Sequence, residues 1–293
     1  MSADLRPRRS VLYMPGANER ALEKAQTIPA DALILDLEDA VAPDAKVEAR
    51  ERVCAAATSG AYGTREVAIR ANGIGTAWHD DDLRAIAEAG PAAVVIPKID
   101  SAADVHRIEQ ALEAGGAPAH TRIWAMLETP IATLSALEIA MSSERLTVLV
   151  MGTNDLVKEL QAAHVPGRQP LLAGLGHCLL AARAAGKVIL DGVYNDIKDD
   201  AGFLAECEQG RDLGFDGKTL IHPSQVDPCN HTFAPTDDEV AKANEIIQAF
   251  EEATAEGRGV ATVNGRMIEN LHVEQAKRVL AIAAAIAEST AQP

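Results

Sequence analysis

Eight short apolar runs of strand character alternate with alanine-rich stretches of helical period, and Gly, Pro, Asn or Asp marks each change of period. The strand candidates are Ser10 to Met14, Ala32 to Leu37, Val67 to Arg70, Ala92 to Pro97, Arg122 to Leu127, Leu146 to Met151, Val188 to Val193 and Gly217 to Ile221. Helical candidates lie between them: Glu19 to Ile28, Asp44 to Ala57, Asp80 to Ala89, Ser101 to Ala114, Ile131 to Met141, Leu171 to Ala185 and Gly202 to Leu213. Runs such as Val94-Val95-Ile96 and Val148-Leu149-Val150 are apolar at every position, as strands covered on both faces must be. The pattern predicts an α/β fold, a TIM (β/α)8 barrel. A doubly wound open sheet competes with it, but no GxGxxG follows the first strand to support a dinucleotide site.

The alternation ends before the chain does. Ile221-His222-Pro223 begins a further helical stretch, Thr236 to Glu256 is a charge-rich helix, and Gly257-Arg258-Gly259 separates it from a final alanine-rich helix near Leu271 to Glu288. The expected division is a catalytic barrel over residues 1–233 and a C-terminal helical lid or oligomerisation arm over 234–293. Aromatic residues make up only 3% of the 293, so the core must be built from Ala, Val, Ile and Leu.

With 27 Lys and Arg against 43 Asp and Glu, the formal net charge is −16, which argues against nucleic acid. The one dense basic cluster is Arg6, Arg8 and Arg9. The longest apolar runs, such as Ala281 to Ala287, fall far short of a membrane span, so no membrane partner is expected. The N-terminus is polar and arginine-rich and breaks at Pro15-Gly16, which predicts a cytoplasmic protein. Cys54, Cys178, Cys207 and Cys229 show no CxxC spacing and are read as reduced thiols.

A barrel carries its active site at the C-terminal ends of its strands, and several ends here are charged. Asp36, Glu38 and Asp39 close the second run, Arg70 and Asn72 the third, Lys98 the fourth, Glu128 the fifth, and Asp155 lies just past the sixth. Glu128 and Asp155 belong to adjacent strands, and two oxygen donors without His or Cys suit Mg²⁺ better than zinc. A plainer reading makes Glu128 a cap before Thr129-Pro130 and Asp155 a loop-turning residue. Arg70 could meet a carboxylate or a developing oxyanion, or could form a buried ion pair with Asp36 or Glu38. His222 is read as ordering its loop, and no GxSxG elbow presents a serine nucleophile.

The residues also carry a resemblance. Arg9-Ser10-Val11-Leu12-Tyr13-Met14-Pro15-Gly16, then Asp36-Leu37-Glu38-Asp39-Ala40-Val41 with Lys46 and Arg50, resembles the opening of the citrate lyase beta subunit (HpcH/HpaI aldolase) family. Ile69-Arg70-Ala71-Asn72, Ile96-Pro97-Lys98, Met126-Leu127-Glu128-Thr129, Gly152-Thr153-Asn154-Asp155 and Gly214 to Pro223 continue it in order. Val150 to Leu156, Glu206 to Asp212 and Glu269-Asn270-Leu271-His272 look most like the malyl-CoA branch of that family. The resemblance implies Mg²⁺, with Mn²⁺ as a substitute, held by Glu128 and Asp155. It implies that Arg70 contacts the acyl group, and that Asp36, Glu38 and Asp39 stand behind them to orient Arg70 and metal-bound water. Coenzyme A, as part of the substrate, is expected past Tyr13 and Pro15, with Lys24 or Arg20 near its phosphates.

In lyases of the family an Asp in a Gly-x-Met-Ile-Asp stretch protonates the enolate left by C–C cleavage. Here the stretch reads Gly265-Arg266-Met267-Ile268-Glu269. The longer Glu269 would sit about an ångström farther along, poorly placed to protonate carbon but able to hold a water as general base. The resemblance therefore implies hydrolysis of (3S)-malyl-CoA to malate and CoA. Retro-Claisen cleavage of malyl-CoA, methylmalyl-CoA or citramalyl-CoA is the alternative, and a carrier-dependent citrate lyase beta-type subunit a further one. Glu269 could also be a surface helix cap. A homotrimer or homohexamer, with the arm acting in trans, is expected from the family.

Overall fold

The computed structural model describes residues 6–291. Residues Arg8–Phe233 form one compact unit, and the chain from Ala234, grouped with Arg6 and Pro7, forms another.

The first unit is the expected barrel. Its strands are β1 (Ser10–Pro15), β2 (Ala32–Asp36), β3 (Glu66–Arg70), β4 (Ala93–Ile96), β5 (Arg122–Leu127), β6 (Leu146–Met151), β7 (Val188–Asp191) and β8 (Gly217–Leu220). Each pairs in parallel with its sequence neighbour, and β8 closes on β1 through Ser10↔Lys218 and Leu12↔Leu220. Closure removes both sheet edges, and the intervening helices bury the outer face.

Period two along each strand sorts side chains into two apolar layers. Leu33 and Leu35, Ile123 and Ala125, and Leu149 and Met151 face the helices as part of one large cluster. Their neighbours Ile34, Trp124, Met126, Val148 and Val150 belong to a second cluster that fills the barrel. Trp124 is fully buried there, and Arg8 stacks its guanidinium 5.7 Å from the indole while pairing with Glu66 at 2.5 and 2.9 Å. The barrel is plugged, as small (β/α)8 barrels are, by side chains rather than left as a pore.

Helix ends follow local chemistry. Asn18, Ser101 and Thr129 each accept from a backbone N–H three residues on, and Gly90 and Gly214 end helices in the left-handed conformation that glycine adopts freely. Two differences from the sequence expectation stand out. The stretch from Ile131 to Met141 is two short helices, Pro130–Leu134 and Ala136–Met141, broken at Ser135. A helix, Thr153–Glu159, starts directly after β6.

The second unit opens with helix Asp237–Ala255, started by a capping box: the Thr236 hydroxyl accepts from Glu239 N–H at 3.2 Å, and the Glu239 carboxylate accepts from Thr236 N–H at 2.8 Å. An antiparallel hairpin follows, β9 (Ala261–Val263) and β10 (Arg266–Ile268), turning on Asn264 and Gly265 with φ of 48° and 74°. Asn-Gly at two positive-φ positions is the preferred hairpin connection. Helix Asn270–Ala291 completes the unit around Ala253, Ala261, Ile268 and Val273. No helix among the described residues is long and apolar enough to cross a membrane.

Candidate active site

The inward register that fills the barrel also builds the site above the filling. Val11 leads to Tyr13, Ile34 to Asp36, Ala68 to Arg70, and Trp124 and Met126 to Glu128, each two residues farther toward the C-terminal end. Tyr13, Pro15, Asp36, Asp39, Arg70, Glu128 and Asp155 line one cavity of about 430 Å³, together with Met126, Gly152, Asn154, Asn195 and Thr219. Apolar packing below and solvent above give these polar groups a low-dielectric floor.

Arg70 is the organising cation. Asp36 faces it across the β2–β3 register and takes Nε at 2.6 Å and Nη2 at 2.7 Å. Nη1 reaches Glu38 at 2.8 Å and Asp39 at 3.4 Å, and the guanidinium lies 4.8 Å from the Tyr13 ring centroid. Arg70 is thus the buried ion pair of the plainer reading, and it also lines the cavity. A guanidinium has five N–H groups; Asp36 takes two, Glu38 one and Asp39 one, so a single donor, the second N–H of Nη2, remains for a ligand oxygen. One cation cannot neutralise three acids. Burial raises the Glu38 carboxyl to about 8 despite the pull of Arg70. Lys46 fixes this loop by donating to the Leu37 and Glu38 carbonyls, both at 2.7 Å.

Glu128 and Asp155 meet from neighbouring strands. Glu128 is 3% exposed, and burial, with the charge of Asp155 next in size, raises its carboxyl to about 7. It does not cap a helix, since Thr129 does that. Asp155 lies in the first turn of Thr153–Glu159 rather than in a loop. Gly152 explains how Glu128 fits: a Cβ there would sit 2.3 Å from Glu128 Cβ and from Oε2. Lys98, at the end of β4, touches both acids. Its backbone N–H donates to Glu128 Oε1 at 2.8 Å and its ammonium lies 3.3 Å from Asp155 Oδ1.

Two adjacent carboxylates whose charges oppose each other, with oxygen donors only, fit a hard divalent cation completed by water and substrate oxygens. Among the described residues no group of three or more His, Cys, Asp or Glu is placed to hold a metal, so the chain would offer such a cation two carboxylates at most here.

The other sequence candidates fall elsewhere. Lys24 and Arg20 are exposed on helix Glu19–Ala25, and neither lines the cavity. Glu269 is exposed between β10 and the last helix, where its backbone N–H donates to His272 Nδ1 at 3.1 Å. His222 does order its loop, accepting from Ser224 N–H at 3.2 Å at the start of a short 3₁₀ turn.

Residue-type reasoning passed over three features. Asn154 and Asn195 exchange amide hydrogen bonds at 3.0 and 2.7 Å on the cavity wall. Lys98 was visible only as a charged strand end, without a role. Outside the barrel wall, Asp191 is wholly buried between Lys218 at 2.9 Å and Arg168 at 2.7 Å, with Glu206 on Lys218 at 2.7 Å. Although burial opposes it, these two cations hold the Asp191 carboxyl below its usual range.

Known proteins share this arrangement of chain. The HpcH/HpaI aldolase/citrate lyase family model matches residues 9–223. A (3S)-malyl-CoA thioesterase of Cereibacter sphaeroides (strain ATCC 17025 / ATH 2.4.3) is 50% identical over 98% of both chains. The citrate lyase subunit beta of Escherichia coli (strain K12) is 39% identical, over 94% of this chain and 93% of that one. The structure of CitE from Mycobacterium tuberculosis, in complex with magnesium, acetoacetate and coenzyme A, is 28% identical and superimposes with a TM-score of 0.78, over 94% of this chain and 97% of that one. With eight strands in one closed order, charged strand ends gathered at one cavity and half its residues shared with a full-length relative, this chain belongs to the HpcH/HpaI aldolase/citrate lyase family.

Proposed function

We propose that the chain is a Mg²⁺-dependent acyl-CoA hydrolase that converts (3S)-malyl-CoA to malate and CoA. The observation that carries this reading is the 50% identity to a (3S)-malyl-CoA thioesterase along 98% of both chains, with a paired-carboxylate site at the barrel mouth. Glu128 and Asp155 hold the metal, which supplies polarisation of the thioester oxygen when bound. Arg70, fixed by Asp36, Glu38 and Asp39, turns its remaining N–H toward the same oxygen as charge develops there. Asp36, Glu38 and Asp39 act through Arg70. Tyr13 and Pro15 shape the wall that the acyl end meets, and Lys24 serves the CoA phosphates.

Glu269 acts as general base. It takes a proton from a water whose oxygen bonds to the thioester carbon; the C–S bond then breaks, and the sulfur of CoA receives that proton. The arm from Ala234 onward delivers Glu269 as a lid, in trans within a homotrimer or homohexamer.

The 39% identity to a citrate lyase subunit beta favours a second reading, C–C cleavage of malyl-CoA to glyoxylate and acetyl-CoA. A carrier-dependent subunit is its extreme form. One incubation separates them: the purified protein is given (3S)-malyl-CoA and Mg²⁺, and malate, glyoxylate, acetyl-CoA and free CoA are quantified. Equimolar malate and CoA, abolished by EDTA, is expected. Glyoxylate with acetyl-CoA and little malate overturns the hydrolase reading, and inertness toward every free acyl-CoA favours the carrier-dependent one.

A further inference from the structure

Lys98 is a lysine in a backbone conformation that lysine disfavours. Its φ is 51°, one of four positive values among the described non-glycine residues, and it follows Pro97 directly at the end of β4. An L-residue in the left-handed region costs on the order of 1 kcal/mol, so the surrounding structure must impose it. What it achieves is visible in the hydrogen bonds. The turn aims the Lys98 N–H at Glu128 Oε1, 2.8 Å away, and the chain then rejoins β5 through Ile99 N–H to Met126 carbonyl at 3.3 Å.

The side chain does something different. From the same Cα it reaches across to Asp155, where the ammonium stands 3.3 Å from Oδ1 while the side chain remains 51% exposed. One residue thus touches both acids of the pair, by two groups of unlike permanence. The amide is part of the backbone and cannot leave. The ammonium is a long-armed, half-solvated cation, and such contacts exchange readily. Two carboxylates facing one space repel each other unless a positive charge lies between or beside them. The Lys98 ammonium is such a charge, 3.3 Å from Asp155 Oδ1, whereas the Arg70 guanidinium is committed to Asp36, Glu38 and Asp39.

We propose that Lys98 is a positioning residue that keeps the two-acid site assembled without metal: its amide fixes Glu128 in every state, and its ammonium holds Asp155 until a divalent cation displaces it. This rests on Glu128 and Asp155 being the Mg²⁺ ligands. The ammonium then competes with the metal, so the residue that preorganises the site also weakens its affinity for the ion. The left-handed backbone is what lets both groups start from a single position.

The test is calorimetric titration of Mg²⁺ into the metal-stripped full chain, without substrate, with thermal melts of each protein in EDTA and in saturating Mg²⁺. Lys98→Met keeps the N–H and the side-chain length but removes the charge. It is expected to bind Mg²⁺ about three- to tenfold tighter than wild type, the size of one partly solvated charge interaction. Its EDTA melt should fall below wild type while the two Mg²⁺ melts coincide, and Lys98→Arg should return the affinity toward wild type. A merely structural lysine would lower both melts together. Wild-type or weaker Mg²⁺ affinity in Lys98→Met overturns the proposal. Where wild type takes up Mg²⁺ and Glu128→Gln does not, an unimproved affinity in Lys98→Met sinks the proposal alone; where wild type takes up none, the metal reading falls with it.

Discussion

Asp36 and Arg70 face each other across the β2–β3 register and share two hydrogen bonds, Nε to Oδ1 at 2.6 Å and Nη2 to Oδ2 at 2.7 Å. A fork gripped at two points cannot rotate about its own axis, so the direction of its remaining N–H is set before any ligand arrives. Asp36→Asn keeps the shape but removes the charge and one acceptor. Its kcat on (3S)-malyl-CoA should fall about 10- to 100-fold, as for partners that orient a site from behind. Steady-state kinetics with wild-type rates would discard this role.

Gly152→Ala places a methyl where Glu128 stands, 2.3 Å from both Cβ and Oε2. No rotamer change of the alanine can relieve that. The variant should lose about 1–3 kcal/mol in denaturant unfolding and bind Mg²⁺ more weakly, because Glu128 must move. A well-folded variant with unaltered Mg²⁺ affinity would show that Glu128 does not need its present position.

Glu38 supplies a pH signature. Burial raises its carboxyl from the usual 4.5 to about 8, so the folded protein holds this proton more tightly than the unfolded chain does. The associated stability is complete below about pH 4.5 and is lost as pH rises through about 8. Metal-free protein should therefore melt progressively lower between those limits, and Glu38→Gln should flatten that portion of the profile. An unchanged profile in Glu38→Gln would assign the slope to other groups.

Asp191 is a test of stability alone. Removing its charge with Asp191→Ala leaves Lys218 and Arg168 buried beside only Glu206, and that should cost about 3–5 kcal/mol in equilibrium unfolding. A loss below about 1 kcal/mol would mean that water replaces the carboxylate.

Glu269→Asp shortens the acid by one methylene. On the hydrolase reading, malate formation should fall about tenfold or more while the share of glyoxylate and acetyl-CoA rises, because the shorter acid suits carbon rather than water. Product analysis decides it: an unchanged malate-to-glyoxylate ratio removes Glu269 from the chemistry.

Much of this molecule was readable before its coordinates. The β runs announced themselves because both faces of a barrel strand are buried, and the observed limits of β5 and β6 coincide with the apolar runs Arg122–Leu127 and Leu146–Met151. Asp36, Arg70 and Glu128 could be found because period two carries an inward position past the strand end. Asp155 escaped correct local placement because Gly152 caps a helix that begins without any loop. The break at Ser135 was hidden in a stretch of good helix formers. Partnerships such as Arg168 with Asp191, 23 positions apart and joined through a positive-φ turn, depend on tertiary closure that no local pattern encodes. The same is true of Lys98, whose importance lies in a backbone angle rather than in its residue type.

The plug of Trp124, Val148, Val150 and their neighbours closes the barrel from below, with Arg8 and Glu66 sealing its far end. A molecule at Glu128 therefore cannot leave through the barrel and must depart on the side where it entered. Substrate and products share that side, so a slow departure of the last occupant would throttle turnover however fast the bond breaks.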